Sequence, residues 1–343
     1  MAHQPPVTLS DVARRAGVSL ATASRVINGS SRTVRKPFRD RVLRAASELR
    51  YTPNAHAQAI ARGTSNVVGL VVHDISDPYF ASIAAGVMRS AEEVGMAVLL
   101  GSTWRDPDRE LSYVAMLRSQ RVRALIVAGS RSVDRSVNQR LADQLAEFAS
   151  GGGHVACIGQ SRLGVDTVQP QNRAGARDLA RALVELGHRR FVILAGPEHL
   201  LTAQDRLVGF RSGLTEAGLD AEALDVRHGA FTRDGGYDLT AKLAAEATGA
   251  TCVFAVNDVM AVGAMAALRD AGLRIPDDLS VAGFDDIATL RDQVPPLTTV
   301  GLPLEDMGVK ALAMALEGGQ RANPRIMRIK GEVIIRASTK SLV

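Results

Sequence analysis

Residues 7–29, VTLSDVARRAGVSLATASRVING, carry the clearest structural pattern at the amino-terminal end of the chain. Thr8 precedes an apolar helical face and Asp11 follows it by three residues, which is a variant of the capping box. Gly17 lies where the chain must turn sharply, and a residue without a Cβ atom tolerates a positive φ there. Ser19 is placed to cap a second helix. Two short helices joined by a glycine turn predict a helix-turn-helix, whose second helix enters the major groove of DNA.

A third helix is expected to follow, from about Pro37 to Leu49, and to close a small three-helix head. Its inward face would consist of Phe38, Val42, Leu43, Ala46 and Leu49. Two or three short helices can also form a protein-interaction module, so the helices alone leave both interpretations open.

The exposed face of the second helix favours DNA as the partner. Its residues are short and are grouped around Arg25, which can pair with two acceptors of a guanine. Thr22 and Ser24 are better suited to phosphates, which set the register of the helix. We therefore predict DNA contacts by Thr8, Ser19, Leu20, Ala21, Thr22, Ser24, Arg25, Asn28, Tyr51, Asn54, Ala57 and Ile60.

Positive charge is concentrated in the same part of the chain. Residues 1–62 hold eleven Lys and Arg side chains and three acids, a balance of +8, whereas the whole chain carries +5 and the remainder therefore −3. A basic head on a mildly acidic body is typical of a protein that binds a polyanion. A solvated, arginine-rich surface would give the same balance, so charge alone leaves both interpretations open.

The composition is that of a globular protein. The chain has 343 residues, of which 46% are hydrophobic and 22% charged, and these values exclude a largely disordered or fibrous chain. The chain contains no apolar run long enough to span a bilayer, and its first residues lack the pattern of a secretory signal. We therefore expect a cytoplasmic, nucleoid-associated protein in which Cys157 and Cys252 are buried thiols, with neither a metal site nor a cofactor.

A short linker follows the head. Residues 51–54, YTPN, interrupt the helical pattern, and residues 55–63 form an alanine-rich segment with one larger apolar side chain, Ile60. Such a segment is marginal as an isolated helix, so it would become ordered when DNA and a second copy of the chain hold it. Ile60 could then enter a minor groove as an apolar wedge. A plain interdomain spacer is the alternative.

Beyond the linker, apolar runs alternate with helical patterns, which predicts βαβ units and parallel sheets. The expected strands are Val67–Val72, Ala97–Gly101, Ala124–Ala128, Val155–Ile158, Phe191–Ala195, Ala223–Arg227, Cys252–Ala255 and Ser280–Gly283. The expected helices include Phe80–Val94, Arg173–Leu186 and Val259–Ala271. This part of the chain is long for one sheet core, so two lobes are expected. Ligands of such sheets bind outside the carboxyl ends of the strands.

Several blocks of the sequence together point to one protein family. The head has the pattern AxxAGVSxxTxSRVING followed by PNxxA, and later blocks are LGHRRFVILAGP (186–197), VFAVNDVMAVGAMAAL (253–268), SVAGFDDI (280–287) and PPLTTVGLPLEDMG (295–308). In their order and spacing, over the whole chain, these blocks resemble the LacI/GalR family of bacterial transcription regulators. The resemblance implies an α/β fold with a small all-α helix-turn-helix head, a hinge helix and a two-lobed periplasmic-binding-protein-like body.

The resemblance also implies boundaries and a function. The helix-turn-helix domain would be residues 1–52, the hinge helix and linker 53–64, and the effector-binding and dimerisation body 65–343. Its first lobe would comprise about 65–170 plus 293–322, and its second lobe about 171–292 plus 323–343. The implied function is that of a repressor, which binds a pseudo-palindromic DNA operator as a homodimer. A small effector, a sugar or sugar derivative, would bind between the lobes.

Polar and aromatic side chains follow the carboxyl ends of the expected strands. The resemblance implies an effector site formed by His73, Asp77, Tyr79, Phe80, Gln160, Arg206, Phe231, Asn257 and Asp285. The guanidinium of Arg206 is a rigid fork suited to paired hydroxyls or to a carboxylate. Tyr79 and Phe80 could equally pack at a helix start. Asp258 more simply caps its helix, and Asp286 is expected to be a solvated or capping acid.

The chain departs from the family pattern at positions that bear on the ligand. Residues 158–160 are IGQ where an aliphatic-Asp-Arg run is common, and residues 171–172 are QN in place of a common Asp-Asn pair. An acceptor for a sugar hydroxyl is thereby lost, and Gln160 could replace it. Ile60 stands where Leu is usual and is stiffer about χ1. Trp104, the single tryptophan, is expected to pack or to contact the rim of the cleft.

An enzyme is the alternative class of protein. The chain has no G-x-S-x-G, P-loop or H-E-x-x-H motif, so we expect no enzymatic activity. The alternative that stays open is a solute-binding or sugar-processing protein with a head that binds nucleic acid nonspecifically. The expected partners are double-stranded operator DNA, a sugar-like small molecule and a second copy of the chain, with no membrane.

Overall fold

The computed structural model describes residues 7–28, 34–52, 65–221, 224–246, 249–318 and 323–343, except the side chains of Asn28 and Arg291. The chain divides into two compact units, Met1–Asn66 and Val67–Val343. The first unit is helical, and the second is an α/β body with two parallel sheets. This is the fold class that the sequence predicts. The hinge helix expected at residues 53–64 lies outside the described residues.

The first unit contains the helices α1 (Leu9–Ala16), α2 (Leu20–Asn28) and α3 (Lys36–Glu48). The predicted capping box opens α1, with Asp11 N–H donating to Thr8 Oγ1 and Thr8 N–H donating to the Asp11 carboxylate at 3.0 Å. Gly17 ends α1 at φ +62°, a left-handed conformation that glycine adopts without strain. Ser19 Oγ accepts a hydrogen bond from Thr22 N–H at 3.2 Å, so it caps α2 as predicted.

The three helices enclose a small core. Val12, Ala23 and Val42 are fully buried in it. Phe38 and Leu43, which were expected to face inward, are 39% and 45% exposed, so that expectation is wrong. In so small a bundle α3 buries only a narrow stripe, and its remaining apolar side chains lie at the surface.

One lobe of the body is built on a six-stranded sheet. Its strands are β1 (Val67–Val72), β2 (Ala97–Ser102), β3 (Ala124–Ala128), β4 (His154–Ile158), β5 (Asp166–Pro170) and β11 (Ile326–Ile329), in the order β11-β5-β4-β3-β1-β2. All of its pairs are parallel. The helices of this lobe are α4 (Pro78–Glu93), α5 (Pro107–Ser119), α6 (Arg135–Ser150) and α11 (Leu304–Glu317). Every residue of β3 is buried, as expected for a parallel strand covered on both faces.

The other lobe is built on a four-stranded parallel sheet. Its strands are β6 (Phe191–Leu194), β7 (Asp225–Arg227), β8 (Cys252–Ala255) and β9 (Ser280–Ala282), in the order β7-β6-β8-β9. Its helices are α7 (Asn172–Glu185), α8 (Leu201–Glu216), α9 (Arg233–Ala244) and α10 (Asp258–Asp270), followed by a 3₁₀ turn, Ala288–Asp292.

The chain crosses between the lobes near its end. The strands β10 (Thr299–Gly301) and β12 (Glu332–Ile334) form a short antiparallel pair. Residues 323–343 were expected in the second lobe, but β11 lies in the six-stranded sheet beside β5, so this part of the expected division is wrong. The parallel ladder holds it there, and the Asp166 carboxylate accepts hydrogen bonds from the backbone and side chain of Arg325 at 2.7 and 2.8 Å. Only after β12 does the chain reach the second lobe, where Val281 N–H donates to Ser338 O.

Both cysteines are buried free thiols, as predicted. Burial raises the pKa of Cys157 to about 11, so the thiolate that would react is scarce at neutral pH. None of the helices in the described ranges has the length and apolar character that crossing a membrane requires.

Candidate functional site

The second helix of the head presents a mixed surface. Its exposed side chains are Leu20, Ala21 and Arg25, with Thr22 and Ser24 half-buried. The hydroxyls of Ser19 and Thr22 are hydrogen-bonded to each other at 2.9 Å, which fixes the polar N-terminus of α2. Short side chains beside one long guanidinium allow a helix to approach base edges closely.

The remaining predicted DNA-contact residues lie elsewhere in the head or outside the described residues. Thr8 is occupied by the cap of α1. Tyr51 is half-buried and packs against the head core. Asn28 ends α2, and its side chain, like the residues Asn54, Ala57 and Ile60, lies outside the described part of the chain.

Two acids of the head are paired within the head. Asp11 contacts Arg14 at 3.2 Å, and Glu48 contacts Arg15 at 2.9 Å. The hydrogen bonds from Thr8 hold the pKa of Asp11 below its usual value. Because acids are few, the head keeps its positive balance, which is the electrostatic basis for binding phosphates.

In the body, a narrow cleft with a cavity volume of about 40 Å³ lies at the carboxyl ends of the strands of both lobes. Eight of the nine predicted effector residues line it, namely His73, Asp77, Tyr79, Phe80, Arg206, Phe231, Asn257 and Asp285. The ninth, Gln160, does not line it. Parallel strands bring residues that are far apart in sequence to one edge of the sheet, which explains why the strand-end pattern located most of this group.

Arg206 is at the centre of the polar wall. Its guanidinium donates to both oxygens of Asp285 at 2.6 and 3.2 Å, to Asn172 Oδ1 at 2.9 Å and to the carbonyl of Val256 at 2.7 Å. It also lies over the ring of Phe284, 3.9 Å from the centroid. Burial raises the pKa of Asp285 to about 6, against the attraction of the guanidinium. The orientation of Arg206 is thus fixed before any ligand arrives.

Aromatic rings form a second wall. Tyr79 and Phe80 pack edge to face with centroids 5.0 Å apart, and the ring of His73 lies 5.6 Å from that of Phe80. Burial, aided by the charges of Arg131 and Arg105, lowers the pKa of His73 well below its ordinary value. A neutral imidazole has one donor and one acceptor, so His73 can hydrogen-bond to a hydroxyl in either direction.

Arg105 connects the two lobes at the edge of the cavity. Its guanidinium lies 3.7 Å from the Asp77 carboxylate, donates to the carbonyl of Phe231 at 3.3 Å and lies 5.7 Å from the centroid of that ring. Burial raises the pKa of Asp77, which also caps α4 by accepting from Tyr79 N–H at 3.0 Å. Sequence reasoning missed Arg105, since no motif marks the loop after β2.

Gln160 connects the two lobes through hydrogen bonds and does not face the cavity. Its amide nitrogen donates to Thr202 Oγ1 at 2.9 Å, and its oxygen accepts from Arg131 N–H at 2.9 Å. Thr202 does line the cavity and its N–H donates to Ser130 Oγ at 3.0 Å. Asn172 also lines the cavity. It belongs to the Gln-Asn pair that departs from the family pattern, and it was not among the predicted site residues.

Three further side chains differ from expectation. Asn257, not Asp258, caps α10, since its Oδ1 accepts from Met260 N–H at 3.0 Å. Asp258 is fully buried, accepts from Thr299 Oγ1 at 2.8 Å, and burial raises its pKa to about 7. Asp286 forms an ion pair with Arg336 at 2.7 Å. Trp104 is 59% exposed and does not line the cavity.

The cavity is suited to a small, uncharged ligand rich in hydroxyl groups. Two cations, Arg105 and Arg206, face two carboxyls, Asp77 and Asp285, so the charges balance and each pair offers donors and acceptors together. The aromatic wall can cover an apolar ring face. Among the described residues no group of three His, Cys, Asp or Glu is placed to share a metal ion.

Comparison with known proteins identifies the class. Residues 8–54 match the model of bacterial regulatory proteins of the lacI family, and residues 180–339 match a periplasmic binding protein-like domain. The chain is 33% identical over 340 residues to the HTH-type transcriptional regulator DegA of Bacillus subtilis (strain 168), with 98% of each chain covered.

Two solved structures are similar over almost the whole length. The complex of the transcriptional regulator CelR with cellobiose has a TM-score of 0.70 at 30% identity, covering 98% of this chain and 100% of that one. The lac repressor dimer bound to operator and the anti-inducer ONPF has a TM-score of 0.84 at 27% identity, with the same coverage.

Fold and comparisons together define a helix-turn-helix, DNA-binding transcription regulator with an effector-binding body. The chain belongs to the LacI family, as the sequence blocks predict. The relatives that it matches are regulators, not enzymes.

Proposed function

We propose that the protein is a transcriptional repressor that binds a pseudo-palindromic operator as a homodimer and responds to a neutral, sugar-like effector in the cleft. The observation that carries the proposal is the charge-balanced cavity around Arg206 and Asp285 in a chain whose head is a basic helix-turn-helix. The head provides the binding site for a polyanion, and the cavity provides the binding site for a regulating ligand.

The head reads DNA through α2 in the major groove. Arg25 pairs with a guanine, whereas the hydroxyls near Ser19 and Thr22 position the helix on phosphates. Binding of this kind is sensitive to salt, because cations are released when basic side chains neutralise phosphates. It also places the protein at the nucleoid.

A second copy of the chain is proposed to pack on the outer edge of the six-stranded sheet. Here β2 is the edge strand, and Leu99 and Leu100 on it are exposed. Met88 on the neighbouring helix α4 and Val94 at its end are 53% and 57% exposed. Apolar side chains grouped at a sheet edge are typical of a protein interface, and the similar lac repressor structure is a dimer on its operator.

The domain boundaries stay as the sequence suggests, with the head at 1–52, a hinge at 53–64 and the body from 65. In a dimer the two hinge segments would meet at the centre of the operator, where Ile60 enters the minor groove and separates a base step. A change in the spacing of the two bodies then changes operator affinity.

The effector is proposed to be an uncharged sugar. Paired donors and acceptors at Arg206 and Asp285 fit vicinal hydroxyls, and the rings of Phe80 and Phe231 cover the apolar face of a pyranose. The similar regulator CelR is a complex with cellobiose. The effector acts by binding one arrangement of the lobes more tightly than the other, with typical couplings of ~1–3 kcal/mol.

Phe231→Ala tests the cleft as the regulating site. Phe231 is a half-buried loop residue at the edge of the core, and the head that binds DNA does not contain it, so we expect operator affinity without sugar to be unchanged and the response to sugar to be lost. The measurement is fluorescence anisotropy of labelled operator, with and without the sugars that shift the wild-type protein. A normal response in the variant would contradict the cleft assignment. The alternative solute-binding function predicts sugar binding with no effect on any DNA complex.

A further inference from the structure

A second cavity, of about 490 Å³, lies where the chain first crosses from one lobe to the other, and we call it the crossover cavity. Its wall contains the connection from β5 to α7, the loop after β4, the start of α8 and one residue of β11. It has Pro170 and Asn172 in common with the effector cleft, but Arg206 and Asp285 do not line it. Gln160, which does not face the cleft, lines the crossover cavity. The two cavities are therefore separate sites.

Three guanidinium groups from three different elements border the crossover cavity. Arg162 follows β4, Arg328 lies on β11, and Arg173 is in the first turn of α7. Among the described residues that line the cavity, Asp205 is the one acid. Three positive charges against one negative charge give the wall a balance of +2. The effector cleft has equal numbers of arginines and carboxyls in its wall, so the two cavities select ligands of different charge.

Two of these guanidinium groups are not used by the fold. Within the described ranges, neither Arg162 nor Arg328 forms an ion pair or a side-chain hydrogen bond. Arg325 lies three residues before Arg328 and shows the contrast, because its guanidinium contacts the carboxylates of Asp166 and Glu317. The donors of Arg162 and Arg328 are therefore available to a ligand.

The third guanidinium is oriented by one contact. Arg173 Nε donates to Asp205 Oδ1 at 2.8 Å, and its two terminal nitrogens make no further contact in the described structure. The other oxygen of Asp205 lies 3.5 Å from the amide nitrogen of Gln160. Asp205 thus accepts from two protein donors, which reduces its repulsion of an anion. The N-terminus of α7 has no side-chain cap and no acid in its first turn, so it adds to the positive field that the arginines create.

A phosphate group fits this set of donors. Guanidinium groups donate to phosphate oxygens in pairs, and a phosphate monoester with a charge near −2 at neutral pH offsets the balance of +2. The half-buried side chains of Ser161, Gln169 and Gln171 also line the cavity and can donate to further oxygens. Gln169 is the register partner of Arg328, so their side chains lie on the same face of the sheet. The volume leaves room for the rest of a small metabolite.

We propose that the crossover cavity binds a small phosphate-bearing metabolite through Arg162, Arg173 and Arg328. Arg162 and Arg328 belong to the lobe of the six-stranded sheet, whereas Arg173 belongs to the other lobe. The phosphate therefore bridges the lobes and stabilises the arrangement in which the three guanidinium groups meet. A ligand that does this acts as a second regulating ligand, with a site of its own. The regulatory role rests on the proposed function, whereas the binding site does not.

The test of the site is a calorimetric titration of the full chain at constant ionic strength. The probes are inorganic phosphate, glycerol 3-phosphate and AMP, with glycerol and adenosine as uncharged counterparts of the last two. We expect at least one phosphate compound to bind. Arg162→Gln/Arg328→Gln removes two guanidinium groups that make no contact in the fold, and it should weaken that compound at least roughly 10-fold.

Arg123→Gln is the matched control. Arg123 is exposed, likewise makes no side-chain contact with the described residues, and lies just before β3, at the opposite edge of the same sheet. We expect this variant to bind as the wild type does. The basic head is unchanged in all three proteins, so phosphate bound there contributes equally. Absence of binding by every phosphate compound, or an affinity that the double variant retains or that Arg123→Gln lowers equally, would overturn the site.

The regulatory role is tested by fluorescence anisotropy of labelled operator at constant ionic strength. The phosphate compound that binds should change the operator affinity of the wild type by roughly 5-fold or more and leave that of the double variant unchanged. A wild-type operator affinity that is the same with and without the compound would overturn the regulatory role. Failure of the protein to bind any operator would instead contradict the proposed function, and the calorimetric result would still decide the site.

Discussion

Removal of Arg206 should destabilise the body in a way that depends on pH. Arg206 and Asp285 are 2% and 4% exposed, and the guanidinium contacts both carboxylate oxygens. Arg206→Met keeps an apolar side chain of similar length and leaves Asp285 buried without its cation. Breaking such a pair typically costs about 3–5 kcal/mol when the remaining charge stays buried. At about 2–4 °C per kcal/mol for a chain of this size, the expected fall in Tm is roughly 6–20 °C at pH 8.

The pH dependence follows from protonation of Asp285. Its pKa is about 6 in the folded protein and 3.8 ordinarily, and without the guanidinium the folded pKa rises further. Between pH 6 and pH 8 the folded variant therefore holds a proton that the unfolded chain has released, so its stability falls as pH rises. The wild-type carboxyl is half protonated at pH 6 and ionised from about pH 7 upward, so its contribution to the slope is small and confined to the lower end of this range. One proton corresponds to about 1.4 kcal/mol per pH unit.

The assay is thermal unfolding followed by circular dichroism at pH 6, 7 and 8 in one buffer series. The Tm gap between wild type and Arg206→Met should widen by up to roughly 5–11 °C from pH 6 to pH 8. Arg206→Met/Asp285→Asn is the control, and its gap to wild type should change only slightly with pH. Because the charges of Arg206 and Asp285 also act on the pKa of Asp258, the same comparison in an Asp258→Asn background isolates Asp285. A gap for Arg206→Met that is the same at all three pH values would show that protonation of Asp285 does not set the stability of the variant.

Three further predictions concern single residues. Asp258→Asn should gain thermal stability relative to wild type as pH rises from 5 to 8. Burial raises the pKa of this acid to about 7, so its ionised form is costly in the folded protein. A Tm difference between the two proteins that does not change with pH would contradict this. Arg25→Ala should relax discrimination at one base pair of the selected operator by roughly 5- to 150-fold in anisotropy titrations, whereas an equal loss on every sequence would reassign Arg25 to phosphate. Ile60→Gly should weaken operator binding and leave calorimetric sugar binding intact, and unchanged operator affinity would eliminate the wedge.

Short-range signals made the head predictable from the sequence. The capping box at Thr8 and Asp11 and the turn at Gly17 each depend on residues within four positions of one another, so no knowledge of the remaining fold is needed. Burial on α3 was less predictable. Phe38 and Leu43 fit a helical apolar period, but which of them is covered depends on how few neighbours a small bundle supplies.

Pairing between strands that are far apart in the sequence limited how much of the body could be predicted. The strand β11 pairs with β5 from about 160 residues further along the chain, and three of its four residues are exposed, so its sequence carries little apolar pattern. The short pair of β10 and β12 was missed for a similar reason. Strands with continuous apolar runs, such as β3, were located to the residue.

The residues of the candidate effector site that follow the ends of strands could be predicted from the sequence. Asp285 and Asn257 come directly after buried strands and lie on the cavity wall. Gln160 also follows a strand, but its amide is used to hold Thr202 and the backbone of Arg131, and sequence position does not reveal that orientation. Arg105 reaches the cavity because Trp104 and Arg105 both have a positive φ. The local conformational preferences of Trp and Arg do not predict such a backbone.

Recognition of a specific operator is tested by selecting bound sequences from a randomised DNA pool with the full chain at two salt concentrations. We expect a two-fold symmetric site with a flexible central step, and an affinity that falls steeply as salt rises. Addition of a sugar that binds the full chain should change the affinity for that site by roughly 5- to 150-fold. Binding without any enriched motif would contradict sequence-specific recognition and would leave the head as a nonspecific contact with nucleic acid.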